Sequence, residues 1–277
     1  MKIRVLTAAG IALFGIPLLI FSHLIIYSIA LGVLSLMAVF ELLRVLGLDK
    51  RYTVSAPAYL VALAMPLFAH SIFGIDSLKY IPILAGVLFA YLLYLAFLAV
   101  FNRGELKFES IAEAFMGVAY VTSSFTALSI MRYMPYGAYI FGLVFVSAWV
   151  CDSFAYFTGR LFGKHKLAPA ISPKKTVEGS LGGIFFTVLA FLLYGLIVDK
   201  TFSLEVNYLV MALSGLLLSV VAQLGDLFAS LIKRERGVKD YSNLLPGHGG
   251  IMDRFDSILA VSVVLMVICI LFPPFCV

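Results

Sequence analysis

Charge is what this chain has least of. Only 13% of its 277 residues are Asp, Glu, Lys or Arg, against about a quarter in soluble domains. A surface that poor in charge does not stay solvated, which excludes an ordinary soluble enzyme. Cysteine is scarce as well. Cys151, Cys269 and Cys276 are odd in number and widely spaced, so neither a disulfide framework nor a zinc site is expected. The 4 histidines form no cluster, which removes the remaining route to a soft-metal centre.

Apolar sequence fills the space that charge leaves. Hydrophobic residues make up 62% of the chain and the mean hydropathy is +1.07. Segments long enough to cross ~30 Å of hydrocarbon need roughly 20 residues each. They recur at 4–21, 24–45, 54–73, 79–101, 111–131, 135–158, 180–198, 206–232 and 255–273. The expected fold is therefore all-α: a polytopic integral membrane helical bundle of about nine transmembrane helices. Met1–Leu19 has the basic start of a signal peptide in Lys2 and Arg4, but no small-x-small cleavage site precedes the next apolar run, so a retained helix is expected. Organisation follows chemistry, with four spans and little polarity over 1–110, then five spans carrying the polar motifs over 111–277.

The net charge of +5 needs no nucleic-acid partner. With a cytoplasmic N-terminus, only Lys79, Arg132 and Lys200 fall outside, and the other seventeen of 20 Lys and Arg fall inside. That asymmetry is the positive-inside pattern. It supports nine spans and an outer C-terminus together. Two inner loops, 159–179 and 233–254, are much longer than the rest. Gly159/Gly163 and Gly179/Gly183 have the spacing that lets helices approach closely.

Acidic residues inside membrane spans are costly and mark function or a buried tie between helices. Asp152 and Asp226 are such residues. At ~1.5 Å per residue they lie roughly 12 and 10 Å below the cytoplasmic edge, placed by Arg160 and Lys233. Gln223, Asp226, Ser230 and Lys233 share one helix face, and a polar face in a membrane must meet protein or water. Asp253 and Asp256 sit three apart at the start of the last span, where carboxylates also suit a helix N-terminus. Asp226, Asp253 and Asp256 are thus candidate ligands of a hard cation, magnesium or manganese, which takes one or two carboxylates plus water and phosphate oxygens.

Between Ser230 and Asp256 runs a dense polar block, S-L-I-K-R-E-R-G-V-K-D-Y-S-N-L-L-P-G-H-G-G-I-M-D-R-F-D. Its turn Pro246-Gly247-His248-Gly249-Gly250 leads into a helix, and exposed amides there make an anion site or a plain entry turn. Lys233, Arg234, Lys239 and Arg254 flank it. The other long loop carries Ser172-Pro173-Lys174-Lys175-Thr176-Val177-Glu178-Gly179-Ser180. Its lysines either follow topology or, with hydroxyls and Glu178 beside them, handle phosphates.

The block resembles the signature of the phosphatidate cytidylyltransferases. Ser230, Lys233-Arg234, Lys239-Asp240, Ser242, His248-Gly249-Gly250 and Asp253-Arg254-x-Asp256 each fill a position of it. Asp152-x-x-Ala155-Tyr156-x-x-Gly159-Arg160, the 172–179 run and Gln223-x-Gly225-Asp226 match further landmarks of that family. The resemblance implies the magnesium-dependent reaction CTP + phosphatidic acid → CDP-diacylglycerol + pyrophosphate in phospholipid biosynthesis. It implies a catalytic set of Asp226, Asp253, Lys233, Arg234, Lys239, Asp240, His248 and Arg254. Substrate contacts fall to Asp152, Ser172, Lys174, Lys175, Thr176, Glu178, Gln223, Ser230, Gly249 and Gly250. Asp226, Asp253 and Asp256 would hold the metal, with a second, monovalent cation and a homodimer as further options. The site would face the cytoplasm from the inner membrane, taking its lipid from the inner leaflet.

Two other readings compete. A CTP-using polyprenol kinase would share the substrate chemistry; a CDP-alcohol phosphotransferase would need an Asp-Gly pair, and none occurs. An anion transporter with Asp152 and Asp226 as coupling sites would show paired halves with broken helices, and no internal repeat is evident.

Overall fold

Apolar segments in a bilayer must satisfy every backbone N–H and C=O internally, and a helix is the way a single segment does so. A computed structural model of the chain describes residues 21–72, 77–101 and 106–276. Residues 4–20 of the first apolar segment lie outside the described residues, as do Arg103 and the Lys79 side chain. The other eight expected segments each form a helix, and among the described residues eight helices are long and apolar enough to cross a membrane. They are α1 (Ile25–Val45), α2 (Tyr52–Ile72), α3 (Ser77–Phe101), α4 (Phe108–Tyr133), a broken span of α5 (Gly137–Phe145) and α6 (Cys151–Phe162), α7 (Val177–Phe202), α8 (Tyr208–Glu235) and α9 (Met252–Leu271). α7 has 26 residues, so at 1.5 Å each it is about 39 Å long, more than ~30 Å of hydrocarbon. Its ends therefore reach past the apolar slab, carrying Glu178 at one and Lys200 at the other.

The chain packs into two units, and α9 passes from one into the other. The described residues of the first fall within 1–134 and 236–254. Its core is α1, α2 and α4, with Tyr27, Leu42, Leu43 and Phe125 all fully buried. Gly117 of α4 has no Cβ because one would lie 2.4 Å from the Leu42 side chain. Buried hydroxyls stitch the same helices: Ser28 bonds Ser129 at 2.9 Å, and Ser129 donates to the Pro66 carbonyl at 3.0 Å. Hydrogen bonds between helices suit an environment with no water to compete.

The second unit comprises 135–235 and 255–277. α6, α7 and α8 pack in sequence, and small residues set their separation. A Cβ on Gly159 would lie 3.5 Å from the Gly179 Cα, and one on Gly183 only 3.0 Å from the Cys151 carbonyl. The glycine spacings read from the sequence thus bring α6 against α7. A π-helical stretch, Val146–Val150, separates α5 from α6. It is a wider turn that shifts the register of everything after it, and Asp152 is the second residue beyond it. At the opposite end of this unit, β3 (Glu205–Val206) pairs antiparallel with β4 (Phe275–Cys276) and ties the end of the chain to the α7–α8 turn.

The long loops are shorter than the sequence suggests. α6 runs on to Phe162 and α7 starts at Val177, so helix takes residues from both ends of 159–179. Between them lies an antiparallel hairpin, β1 (Lys166–Ala168) and β2 (Ser172–Thr176). Likewise α8 continues to Glu235 and α9 begins at Met252, leaving 236–251 as the second loop.

Candidate active site

The hairpin is held by the start of α7. Thr176 is its N-cap, the hydroxyl accepting the Gly179 N–H at 3.2 Å, and this satisfies one of the helix's orphan donors. Glu178 in the first turn reaches back. Its carboxylate accepts the Lys164 N–H at 3.0 Å and the His165 N–H at 3.2 Å, and lies 2.6 Å from His165 Nδ1. Arg234 Nε donates to the Ile171 carbonyl at 3.3 Å. Thr176, Glu178 and Arg234 are therefore all engaged in fixing the hairpin.

Strand geometry sends successive side chains to opposite faces. In β2 it leaves Lys174 exposed while Lys175 is half-buried, with Nζ 2.5 Å from Asp226 Oδ2 on α8. Ser230, one turn on from Asp226, places its hydroxyl 3.4 Å from Oδ1. Asp152 of α6 and Asp256 of α9 complete a set of three acids in this unit. Each of those two feels the negative charge of Asp226; Lys175 offsets it at Asp152 and Lys233 at Asp256. Ser257 Oγ lies 3.4 Å from both Asp152 Oδ2 and Asp256 Oδ1. Ser257 N–H also donates to Asp256 Oδ1 at 2.7 Å, so this one residue bridges the acids of α6 and α9.

Gln223 is used differently. Its amide donates to the Ser219 carbonyl at 3.3 Å, to the Ser180 carbonyl at 3.4 Å and to Cys151 Sγ at 3.5 Å. It pins α6, α7 and α8 just below the acids.

In the other unit the 236–251 loop closes tightly before α9. Leu245 N–H donates to the Gly249 carbonyl at 2.9 Å, and His248 N–H to the Leu245 carbonyl at 2.8 Å. Gly249 has φ +82°, and a Cβ there would lie 2.8 Å from Asp253 Oδ2; only glycine fits both demands. That Asp253 oxygen accepts the Tyr241 N–H at 2.8 Å and the Gly250 N–H at 3.0 Å. The Gly250 amide, part of the turn read from sequence as an anion site or a plain helix entry, donates to this carboxylate of the protein. His248 Nδ1 is buried without a hydrogen-bond partner among the described residues. Lys239, Asp240 and Arg254 are exposed.

The first unit also holds a residue that the sequence reading passes over. Glu41 of α1 is 2% exposed. Its Oε1 accepts from the Ser242 hydroxyl at 2.6 Å and the Ile251 N–H at 3.0 Å, and its Oε2 accepts the Met252 N–H at 2.9 Å. A signal existed, since Glu41 lies inside an apolar span as Asp152 and Asp226 do. Nothing in the sequence, however, links it to a loop some two hundred residues away.

Among the described residues no three His, Cys, Asp or Glu side chains converge into a metal cage. The second unit instead gathers three carboxylates, two lysines and, at the same end, a basic hairpin. Hard divalent cations take carboxylate oxygens together with water and phosphate oxygens.

Comparison with known proteins bears on the family. The model of the cytidylyltransferase family matches residues 2–272. The chain is 35% identical to the phosphatidate cytidylyltransferase of Staphylococcus epidermidis over 280 residues, covering 98% of this chain and 99% of that protein. It is 37% identical to that of Bacillus subtilis over 270 residues, 94% of each, and 34% identical to that of Staphylococcus haemolyticus over 275 residues, 98% of this chain and 99% of the relative.

Proposed function

The chain belongs to the cytidylyltransferase family, and we propose that it joins CTP to phosphatidic acid, forming CDP-diacylglycerol and pyrophosphate, with magnesium and at the cytoplasmic face of the inner membrane. The full-length similarity to phosphatidate cytidylyltransferases supports the reaction. The observation that carries the site is the acid set of the second unit with Lys175 against Asp226.

A phosphate monoester has a second pKa near 6, so the lipid phosphate is already largely dianionic at neutral pH and needs no general base. One of its oxygens bonds to the α-phosphorus of CTP while the bond from that phosphorus to the β-phosphate oxygen breaks, releasing pyrophosphate. The barrier lies in bringing two anions together and in the charge that develops on the leaving group. Lys175 and Lys233 meet that charge from within the unit. Lys174 extends the positive field from the outer face of β2.

Asp226 and Asp256 are the ligands we assign to magnesium in this unit, and Asp152 shares their field. When bound, the ion would relieve their repulsion and add positive charge for the phosphates. Asp253, expected with them, holds the Tyr241 and Gly250 amides, so its contribution includes shaping the loop before α9. The positive-inside distribution and the basic ends of the helices beside the hairpin support a cytoplasmic orientation.

The direct test is purified protein in detergent or vesicles with CTP and phosphatidic acid, with and without EDTA, following lipid product and pyrophosphate. Product that requires free Mg²⁺ is expected. A folded sample that makes none from several phosphatidic acids would overturn the assignment.

A further inference from the structure

We infer that Glu41 is a positioning residue for the transfer reaction: from α1 it holds the backbone at the entry of α9, fixing where the signature residues of that entry stand. The inference rests on the cytidylyltransferase reading above.

Burying a carboxylate is unfavourable unless bonds replace its water. Glu41 is 2% exposed and receives three donors, the Ser242 hydroxyl and the Ile251 and Met252 amides. A helix N-terminus leaves its first N–H groups without intrahelical partners. At the entry of α9, Glu41 takes the N–H of Met252, its first residue, and that of Ile251 before it, while Asp253 takes the Gly250 N–H. Local caps come from the residue just before a helix; this one comes from 211 positions upstream. Its contacts run along the signature, from Ser242 to Met252, immediately before Asp253 and Arg254.

The second glycine of His248-Gly249-Gly250 has the same explanation. A Cβ on Gly250 would lie 2.4 Å from Glu41 Oε2 and 2.5 Å from Oε1. The missing side chain is the space that the Glu41 carboxylate enters. Contacts from a separate helix to consecutive amides set both the direction and the depth at which α9 begins. A shift of 1 Å in groups that must align phosphates costs about 10²-fold in rate. Glu41 acts through the loop and not by touching substrate.

The test compares full-length wild type, Glu41→Gln, Glu41→Asp and Ser242→Ala in detergent micelles. It reads kcat and KM for CTP and phosphatidic acid per folded molecule, together with amide exchange of residues 241–252. Glutamine keeps the shape but turns one oxygen into a donor facing donors, so Glu41→Gln should lower kcat about 10²-fold with KM changed only a few-fold. Exchange should rise in 241–252 and not in α6–α8. Glu41→Asp keeps the charge at shorter reach and should recover part of kcat. Ser242→Ala removes one of three donors and should fall least. Wild-type kcat in a folded Glu41→Gln protein would overturn the inference, and so would a loss explained wholly by fewer folded molecules. If wild type itself makes no CDP-diacylglycerol, the parent reading fails instead, and the two failures are distinct.

Discussion

The two units use the acids of their membrane-spanning helices in different ways. In the second, Asp226 meets Lys175 and its charge reaches Asp152 and Asp256, the latter also accepting the Ser257 N–H at 2.7 Å. In the first, Glu41 and Asp253 take backbone amides at 2.8–3.0 Å. In the proposed reaction the second unit's acids are the ones that meet an ion or a substrate. The first unit's acids hold the backbone of a loop. Asp226 thus meets a lysine side chain, whereas Glu41 and Asp253 accept peptide N–H groups.

That contrast is broken most severely at Asp226. Asp226→Asn removes the carboxylate paired with Lys175 and should lower kcat by roughly 10²–10³-fold, the scale for deleting one preorganised charge-stabilising group. The fold should be retained, as read by a monodisperse elution profile and an unchanged melting temperature. Near-normal turnover would remove Asp226 from the chemistry.

Next comes Gly250→Ala, which attacks the structural acids. The new methyl meets the Glu41 carboxylate, and overpacking of this kind costs about 1–3 kcal/mol. Thermal unfolding in detergent should shift down and activity should fall with it. An unshifted melt would mean the loop yields easily.

A finer probe lies within one strand. Lys175→Ala should reduce kcat/KM by at least tenfold, because Lys175 is the half-buried partner of Asp226. Lys174→Ala, exposed on the other face of β2, should cost only a few-fold, mainly in KM. Equal effects would show that strand alternation does not sort the two lysines.

The smallest effect is expected at Gly237. It has φ +65° and open space around its Cβ position, so Gly237→Ala should cost about 1 kcal/mol from backbone strain alone and leave kcat unchanged. A large activity loss there would extend the functional part of the loop to its first turn.

Reading from sequence went far where the physics is local. Helix position along 24–273 follows from apolar length alone, and each of the eight described spans lies within a few residues of its expected place. Asp152 and Asp226 stood out because an acid in hydrocarbon is conspicuous. Lys175 and Lys233 were named with them, but only packing shows that Lys175 meets Asp226 while Lys174 turns outward. The hairpin at 166–176 was hidden, because strands of 3 and 5 residues are too short to show periodicity among lysines and a proline. The π turn before Asp152 left no mark in the sequence at all.

By itself, the sequence determined that this is a helical membrane protein with its polar chemistry gathered into two loops. Burial of apolar length and the expense of intramembrane charge act residue by residue, and so can be read from a string. Tertiary structure alone decided the partners: which acid meets a lysine, which meets an amide, and why Gly250 can carry no side chain. Those choices depend on distances between segments far apart in the chain, and one-dimensional order does not encode them locally.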